Sequence, residues 1–502
     1  MSDAASRARP QRACSKPLGS AHPPLPARSH APAFAFAVCL LLAAALPAHA
    51  LEFSKAELER ATALQQRLVT LDSHLDTPAT LERADVDVLQ THAGNRLSQV
   101  HYPRMVEGAL DRGFWAVYTG QGHRSAAAHL DDRDAGLQRL LKIHTLVAAQ
   151  PQRFALATTP ADAARIKAAG TRVVYIGMKN ASPLVADPTV LRVYYAQGLR
   201  LMSTVHFLNN AFADSATDTK GGEWKGLSPA GKQLVQQAQA PGIVIDRSHA
   251  SDAVFDQLIA LSPVPIVLSH SGARAVYNHP RNIDDARLKV LAVHGGVIQV
   301  NSYGGYLVDS GASPERKAAE KALIDHYGGW EHVKIADATK LSAALKELDA
   351  RYPIKRATEE NFCAHLEHVL AVVGPQHVGI GMDRDGGGGG WKMSPICRAS
   401  PHGCCARATP NSRSPVFGGG NLLRVMGQAQ AYAAANRESG VGGVGGWGGS
   451  GWGGGGVGGG GWGGGGGAGE ARRGERGKAG RAVAGDRGWA RGAGARAPRG
   501  WG

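Results

Sequence analysis

The sequence predicts an α/β protein with a parallel (β/α)8 barrel, and three observations support this fold class. Eight short runs rich in Val and Ile follow one another along the chain, and stretches with helical spacing separate most of them. Two consecutive runs within residues 242–285 end in the same Ser-His pair, at His249 and at His270. No glycine-rich phosphate-binding loop follows the first run, which disfavours the alternative fold, a doubly wound open sheet.

The segment around the two Ser-His pairs predicts a strand-helix-strand unit. Each pair follows an apolar, β-branched run, and residues 250–261 between them have the apolar spacing of a helix. In a parallel barrel both histidines then emerge side by side at the carboxyl ends of adjacent strands, the edge that carries the active site. Two imidazoles in this arrangement can bind one metal ion. The alternative is that they are polar residues that only close two strands.

The remaining elements follow from the same periodicities. A Ser N-cap with Glu57 three residues later predicts a helix over residues 54–66. Longer helical stretches lie within residues 125–149 and 315–349, and the polar stretch 209–225 predicts a loop long enough to cover a site. The other six predicted strands are residues 67–72, 113–118, 171–178, 199–207, 295–301 and 377–383.

Residues that bind metals or move protons follow most of the predicted strands. The first strand ends in a His-x-Asp motif, His74 and Asp76, and alternate residues of a strand point to the same side. An imidazole and a carboxylate on one side suit zinc, although His-x-Asp alone is common by chance. Lys179, His206 and Asp383 follow the third, fourth and eighth strands.

The charge of the chain is strongly positive but unevenly distributed. The 502 residues carry a formal net charge of +15, with a pI of about 9.7. Nearly all of this excess lies in residues 1–50, 397–417 and 439–502, so the rest of the chain is close to neutral. We therefore expect no nucleic-acid partner. The cysteines at 397, 404 and 405 lack the paired Cys-x-x-Cys spacing of a zinc ribbon.

Residues 1–50 have the pattern of a secretory signal peptide. A basic start precedes an apolar run at residues 33–46, and the segment ends in Ala48-His49-Ala50. The run is too short for a comfortable membrane span, so we expect no stable membrane anchor. The prediction is a mature chain that starts at Leu51 and is exported, either to the periplasm or as a secreted protein. An uncleaved anchor is the alternative.

The order of the motifs resembles the renal (membrane) dipeptidase family of zinc peptidases, as an exported bacterial member. The similarity covers about residues 65–396 and resumes over residues 418–435. It implies a (β/α)8 TIM-type barrel of the metal-dependent amidohydrolase kind, with a two-zinc centre that hydrolyses dipeptides. Bacterial members often accept a D-residue at the C-terminal position. The matching motifs are His-x-Asp, VVYIGM, STVHFLNN, the two Ser-His pairs, HPRNIDDA and HVGIGMDRDGGGG.

The resemblance also implies a role for each matched residue. His74 and Asp76 bind the first zinc, and His249 and His270 bind the second. His206 faces the scissile carbonyl or its oxyanion, as a catalytic and substrate-binding residue. Arg281 binds the free carboxylate of the dipeptide through its planar donor fork, or else forms a helix-cap salt bridge. Asp383 takes a proton from the attacking water and passes it to the leaving amine, or else is a turn residue before glycine.

The chain departs from the family pattern at Lys179. The family bridges its two metals there with a Glu, whereas a lysine ammonium has three donors and no acceptor and therefore cannot bridge two cations. Three interpretations remain open: a sequence error or point mutation, a real loss that leaves a one-metal or inactive protein, or a lysine carboxylated by carbon dioxide.

Two further segments depart from the family. Residues 397–417 lack helical periodicity where the family has an amphipathic helix, which indicates either paired frame shifts or a divergent surface loop. Residues 439–502 are rich in Gly, Trp and Arg, and this composition predicts a disordered tail. The predicted dipeptidase domain therefore covers residues 51–438.

The most specific functional prediction is a metallo-dipeptidase that acts on dipeptides and is impaired at Lys179. The alternatives are a weak or inactive relative that only binds dipeptides, and another amidohydrolase such as a deaminase or lactonase. The resemblance also allows a homodimer, because barrels of this family often pair.

Overall fold

The predicted barrel is confirmed. The computed structural model describes residues 70–91, 98–329, 333–386 and 419–439. Within them eight parallel strands form one sheet, and each strand hydrogen-bonds to the next in chain order. These strands are β1 (Leu71–Leu75), β2 (Arg112–Val117), β4 (Arg172–Met178), β5 (Leu199–Ser203), β6 (Val244–Asp246), β7 (Val267–Ser271), β8 (Val297–Val300) and β9 (Val378–Ile380).

A further strand, β3 (Phe154–Leu156), pairs in parallel with β4 outside this path. This strand was not predicted from the sequence. Its residues, Phe-Ala-Leu, include none of the β-branched residues that mark the predicted strands.

The barrel closes where β1 meets the segment after β9. Leu75 forms a parallel bridge with Arg384, and the Asp76 amide donates to the Arg384 carbonyl at 2.9 Å. Earlier in both segments, the Met382 amide donates to the Asp72 carboxylate at 3.0 Å. A side chain of the first strand thus completes hydrogen bonding that the short last strand leaves open.

Helices follow most of the strands, as the spacing predicted. Ser125 caps the helix Ala126–Ala149 and Ser251 caps the helix Asp252–Leu261, each by accepting from a backbone amide of the first turn. The predicted helical region 315–349 is two helices. The remaining helices are Thr77–Thr80, Tyr102–Glu107, Pro160–Ala168, Leu191–Ala196, Pro229–Gln239, Asp285–Val293, Gly304–Leu307, Pro314–His326, Ala338–Arg351, Glu359–Val373 and Gly420–Glu438.

Several predicted strand ends were wrong by a few residues. β1 extends through His74, whereas β5 stops at Ser203 and leaves His206 in the following loop. β9 also stops before Asp383. His249 and Asp383 have φ values of 72° and 58°, a left-handed conformation that cannot continue a strand. The apolar runs therefore gave the strands, but the backbone at the site residues did not follow from them.

The final helix packs against the amino end of the barrel. Leu422, Val425 and Met426 share a buried cluster with residues near the strand starts, among them Leu71 and Val244. The carboxyl ends of the strands lie at the opposite end and carry the polar residues described below. Stability and chemistry are thus separated along the barrel axis.

Some predictions concern residues outside the described ranges. These are the signal peptide (1–50), the helix at 54–66, the segment 397–417 and the tail from residue 440 onward. Among the described residues, no helix combines the length and the hydropathy that a membrane span requires.

Gly381 allows the last strand to approach its neighbours closely, and we expect Gly381→Ala to destabilise the barrel. A Cβ there would lie 1.9 Å from the Ser269 carbonyl oxygen, which is backbone and cannot move aside. Overpacking of this kind costs about 1–3 kcal/mol of the free energy of unfolding, which urea denaturation measures. Gly120→Ala is the control, because a Cβ at Gly120 meets nothing within 4 Å. Equal stability of the two variants would contradict the packing argument.

His365 should make the free energy of unfolding fall in acid. It is buried, accepts from the Ala273 amide at 2.9 Å, and has its other ring nitrogen 3.2 Å from the Leu307 carbonyl. Burial lowers the pKa of His365 to about 4. Below pH 6.5 the unfolded chain takes up a proton that the folded chain refuses, so roughly 3 kcal/mol is lost by about pH 4.

Urea unfolding of metal-free protein from pH 7 to pH 4 measures this loss. The His365→Gln variant should show a shallower decline over this range than the wild type, and the exposed His326→Gln variant should follow the wild type. Identical slopes for His365→Gln and the wild type would contradict the assignment.

Candidate metal centre

The carboxyl ends of the strands bring the predicted site residues together. His74 and Asp76 lie at the end of β1, and His270 lies within β7. Lys179, His206, His249, Arg281 and Asp383 follow β4, β5, β6, β7 and β9 in that order. All are buried: His74, Asp76, Lys179, His206, His249, His270, Arg281 and Asp383.

Three of these residues form a group of the size that holds a metal ion. Ligand atoms of His74, His270 and Asp383 all lie within 4.8 Å of one another. The rings of His74 and His270 stack with centroids 3.8 Å apart, and His74 Nε2 is 3.9 Å from Asp383 Oδ1. Asp76 Oδ1 lies 3.4 Å from His74 Nε2. The resemblance had placed His270 with His249 at a separate ion, and Asp383 as a proton carrier only.

A buried carboxylate orients His270. The Ser269 hydroxyl donates to Asp246 and lies 2.7 Å from His270 Nδ1. Because the Ser269 hydroxyl donates to Asp246, it accepts from the Nδ1–H of His270. This tautomer leaves Nε2 of His270 unprotonated, so that it can accept from the His249 Nε2–H or bind a metal ion. Asp246 was not predicted as a site residue.

Asp72 holds the first strand in a similar way. Its Oδ1 accepts from the His74 amide at 3.1 Å as well as from Met382, and burial raises the pKa of Asp72 to about 6. It therefore fixes the backbone of His74 relative to that of Asp383. Asp72 was not predicted, although it lies two residues before the His-x-Asp motif.

The three histidines His206, His249 and His270 are neutral. Burial above all, together with nearby cationic side chains, lowers the pKa of His206, His249 and His270 well below the ordinary value. His249 Nε2 and His270 Nε2 lie 2.8 Å apart. His206 packs against His249 with ring centroids 4.3 Å apart, and its buried Nε2 has no hydrogen-bond partner. Neutral imidazole is the form that binds metals.

Lys179 occupies the side of the group next to the carboxylates. Its Nζ donates to Asp76 Oδ2 at 2.6 Å and lies 3.7 Å from Asp383 Oδ1. Burial alone would lower the pKa of Lys179, but these two carboxylates outweigh it and the pKa is raised. Conversely, burial would raise the pKa of Asp76, but Lys179 and His74 hold it well below its usual range. Both groups are therefore charged.

Asp383 ends the group, and its neighbour Asp385 fixes the loop. Asp385 accepts from Thr77 Oγ1 at 2.9 Å and from the Val100 amide at 3.3 Å, and burial raises its pKa to about 6. Asp383 Oδ1 is buried without a hydrogen-bond partner. Such an oxygen, held in place by its neighbour, suits a cation.

Arg281 lies behind His270. Its Nη1 donates to Ser271 Oγ at 2.8 Å and its Nη2 to the His270 carbonyl at 2.6 Å, whereas Nε has no partner. The predicted helix-cap salt bridge of Arg281 does not occur among these contacts.

Phe207, which is 45% exposed, packs on His206 at 3.9 Å between ring centroids.

The residues present fit one metal ion better than two. His74 Nε2, Asp76 Oδ1 and Asp383 Oδ1 are buried oxygen and nitrogen atoms without hydrogen-bond partners, and imidazole and carboxylate suit zinc. A bridging acceptor between two ions is missing, because the side chain at position 179 is a donor only.

The chain is similar to known dipeptidases in sequence. It is 28% identical to the dipeptidase verJ of Clonostachys rogersoniana over 314 residues, which are 59% of this chain and 79% of that protein. It is 25% identical to the dipeptidase ataJ of Aspergillus terreus over 417 residues, 77% of this chain and 91% of that one.

Solved structures share the fold. The probable dipeptidase PvdM of Pseudomonas aeruginosa superposes with a TM-score of 0.63 at 24% identity, covering 76% of this chain and all of that chain. A metallopeptidase of Rhodobacter sphaeroides, solved with a phosphinate mimic of the dipeptide L-Ala-D-Ala, gives a TM-score of 0.55 at 22% identity, over 72% of this chain and 99% of that chain.

The family profile described as membrane dipeptidase (peptidase family M19) matches residues 58–440, well over half of the sequence. The chain therefore belongs to the membrane dipeptidase family of metallopeptidases, peptidase family M19.

Proposed function

We propose that this chain hydrolyses dipeptides at a zinc site formed by His74, His270 and Asp383, with Asp76 beside it. The observation that carries the proposal is the buried group of three ligand atoms within 4.8 Å, next to a buried guanidinium. A bound zinc ion would polarise the scissile carbonyl and lower the pKa of the attacking water. Membership of a metallopeptidase family supports both the metal and the reaction.

The chain's own residues would bind the substrate and move the proton. The guanidinium of Arg281 binds the free carboxylate of the dipeptide with the donors that Ser271 and the His270 carbonyl leave unused. The unpartnered Nε2 of His206 faces the carbonyl oxygen. Asp383 accepts the proton of the water and returns it to the leaving amine. The roles of His206 and Arg281 are those that the family resemblance implies. The burial of both residues near His270 supports these roles.

The substrates would include dipeptides with a D-residue at the C-terminus. The ligand of the Rhodobacter sphaeroides structure is a mimic of L-Ala-D-Ala, and that protein shares the fold. Comparison of hydrolysis rates for L-Ala-D-Ala and L-Ala-L-Ala tests this part of the proposal.

A relative that binds dipeptides without turnover is the second candidate. The ion pair between Lys179 and Asp76 favours it, since a carboxylate engaged with an ammonium is a weaker metal ligand. Dipeptide binding in calorimetry, without release of free amino acids after zinc addition, would establish this candidate. A deaminase or lactonase has no use for a carboxylate clamp, so Arg281 argues against that alternative.

We further propose that the chain is exported after cleavage behind Ala50. The basic start, the apolar run and the Ala-x-Ala ending support this proposal. The mass of the mature protein recovered from a bacterial periplasm would show cleavage, and an intact first residue would contradict it. A homodimer remains a prediction that sedimentation would test.

Removal of the metal should abolish dipeptide hydrolysis, and Asp383→Asn should lower kcat. Loss of the proton carrier costs about 10²–10⁴-fold in kcat, measured with saturating zinc and dipeptide. Metal content must be measured in parallel, because Asp383 is also a candidate ligand. Asp134→Asn, at a carboxylate on the surface of the helix Ala126–Ala149, is the control. Full activity after chelation would contradict metal dependence.

Arg281→Lys should raise KM for free dipeptides by more than about tenfold, because an ammonium cannot reproduce the two-point contact of a guanidinium with a carboxylate. The matched control is the substrate itself. A dipeptide amide lacks the carboxylate, so the variant and the wild type should differ little on it. An equal loss on both substrates would show that Arg281 acts on the structure and not on the carboxylate.

A further inference from the structure

We propose that the Lys179 ammonium takes the place of one of the two metal ions that the family resemblance implies, so that the protein binds one divalent ion and not two. This inference rests on the proposed metal-dependent function. It concerns the number of ions per chain, which is measured independently of catalysis.

The position of the ammonium carries the proposal. Nζ of Lys179 lies 2.6 Å from Asp76 Oδ2 and 3.7 Å from Asp383 Oδ1, between the two carboxylates that adjoin the His74 imidazole. A zinc–carboxylate bond is about 2.0–2.2 Å long, so an ion shared by these oxygens would overlap the ammonium. The amine and the ion therefore exclude each other from this position.

The backbone around Lys179 holds the side chain there. The Lys179 amide donates to the Val117 carbonyl at 3.0 Å, and the Ser203 hydroxyl donates to the Lys179 carbonyl. On the other side, the Asp76 amide is bonded to Arg384 across the barrel closure. The backbone of Lys179 is thus joined to the strands on both sides of β4, and that of Asp76 to the barrel closure. The amine cannot move away without leaving two buried charges unpaired.

The formal charge of the centre favours one ion. Asp76 and Asp383 contribute two negative charges, and the ammonium with one divalent ion contributes three positive charges. A second divalent ion would raise the excess from one to three, beside the buried guanidinium of Arg281. His206, His249 and His270 lend no negative charge. Burial without counter-charge is unfavourable, so the second ion is excluded.

A complete set of ligands remains for the single ion. His74, His270 and Asp383 are three protein ligands, and three ligands with one open position are typical of a catalytic zinc site. His249 then serves as a neighbour of His270, at 2.8 Å between their Nε2 atoms, and needs no ion of its own.

The test is the amount of zinc per full-length chain, by elemental analysis after equilibration with excess zinc and removal of free ion. We expect one zinc for the wild type and two for Lys179→Glu, which replaces the ammonium by a carboxylate. Lys142→Glu makes the same charge reversal at an exposed lysine of the helix Ala126–Ala149, and it should keep one. Titration calorimetry of the metal-free wild type, which needs no variant, should give a single site per chain.

Each other result overturns a distinct statement. Two zinc ions in the wild type would overturn the inference, and a carbamate signal after labelling with ¹³C-bicarbonate would identify carboxylated Lys179 as the bridge. One zinc in a folded Lys179→Glu variant would show that Lys179 does not limit the number of ions, which also overturns it. No zinc in the wild type would overturn the metal site as a whole. One zinc without dipeptide hydrolysis would contradict the proposed function and leave the inference standing.

Discussion

The buried ion pair between Lys179 and Asp76 is the interaction on which the centre depends. Both groups lie at the carboxyl ends of strands, out of contact with solvent, where an unpaired charge is very unfavourable. Each therefore requires the other. Their contact also fixes the oxygen of Asp76 that faces away from His74, and so determines which atoms are left to bind a metal. Replacing one partner alone would leave a buried charge unpaired, whereas replacing Lys179 by an acid calls for a second cation.

The carboxylates next to this ion pair also join the first and last strands of the barrel. Asp72 hydrogen-bonds the amides of His74 and Met382, so the strand that carries the first ligands is joined directly to the loop that carries Asp383. Asp385 joins the same loop to Thr77 and Val100. The contacts that close the barrel are therefore also the contacts that position the residues of the centre. The final helix, at the opposite end, contributes apolar packing and no chemistry.

Local patterns in the sequence predicted the fold, and the residues that the motifs singled out lie together at the carboxyl ends of the strands. Apolar runs located eight of the nine strands of the described residues, and β3, which has no β-branched residue, was not detected. The residues that orient the centre were missed. Asp72, Asp246 and Asp385 act through contacts with strands that are distant in sequence, which no local pattern encodes. The left-handed backbone at His249 and Asp383 likewise was not predicted, and it is incompatible with the continuation of β6 and β9 through these residues.

The grouping of ligands could not be deduced from motif order for a related reason. His249 and His270 end adjacent strands in matching Ser-His pairs, and this symmetry predicts a shared ion. The structure places His270 Nε2 2.8 Å from His249 Nε2 and also within 4.8 Å of ligand atoms of His74 and Asp383, so His270 lies close enough to serve either grouping. A centre whose carboxylates already hold cations can accept an ammonium in place of one of them without refolding. In the one-ion centre that we propose, the lysine at position 179 changes how many ions the barrel binds, while the strands that present their ligands stay the same.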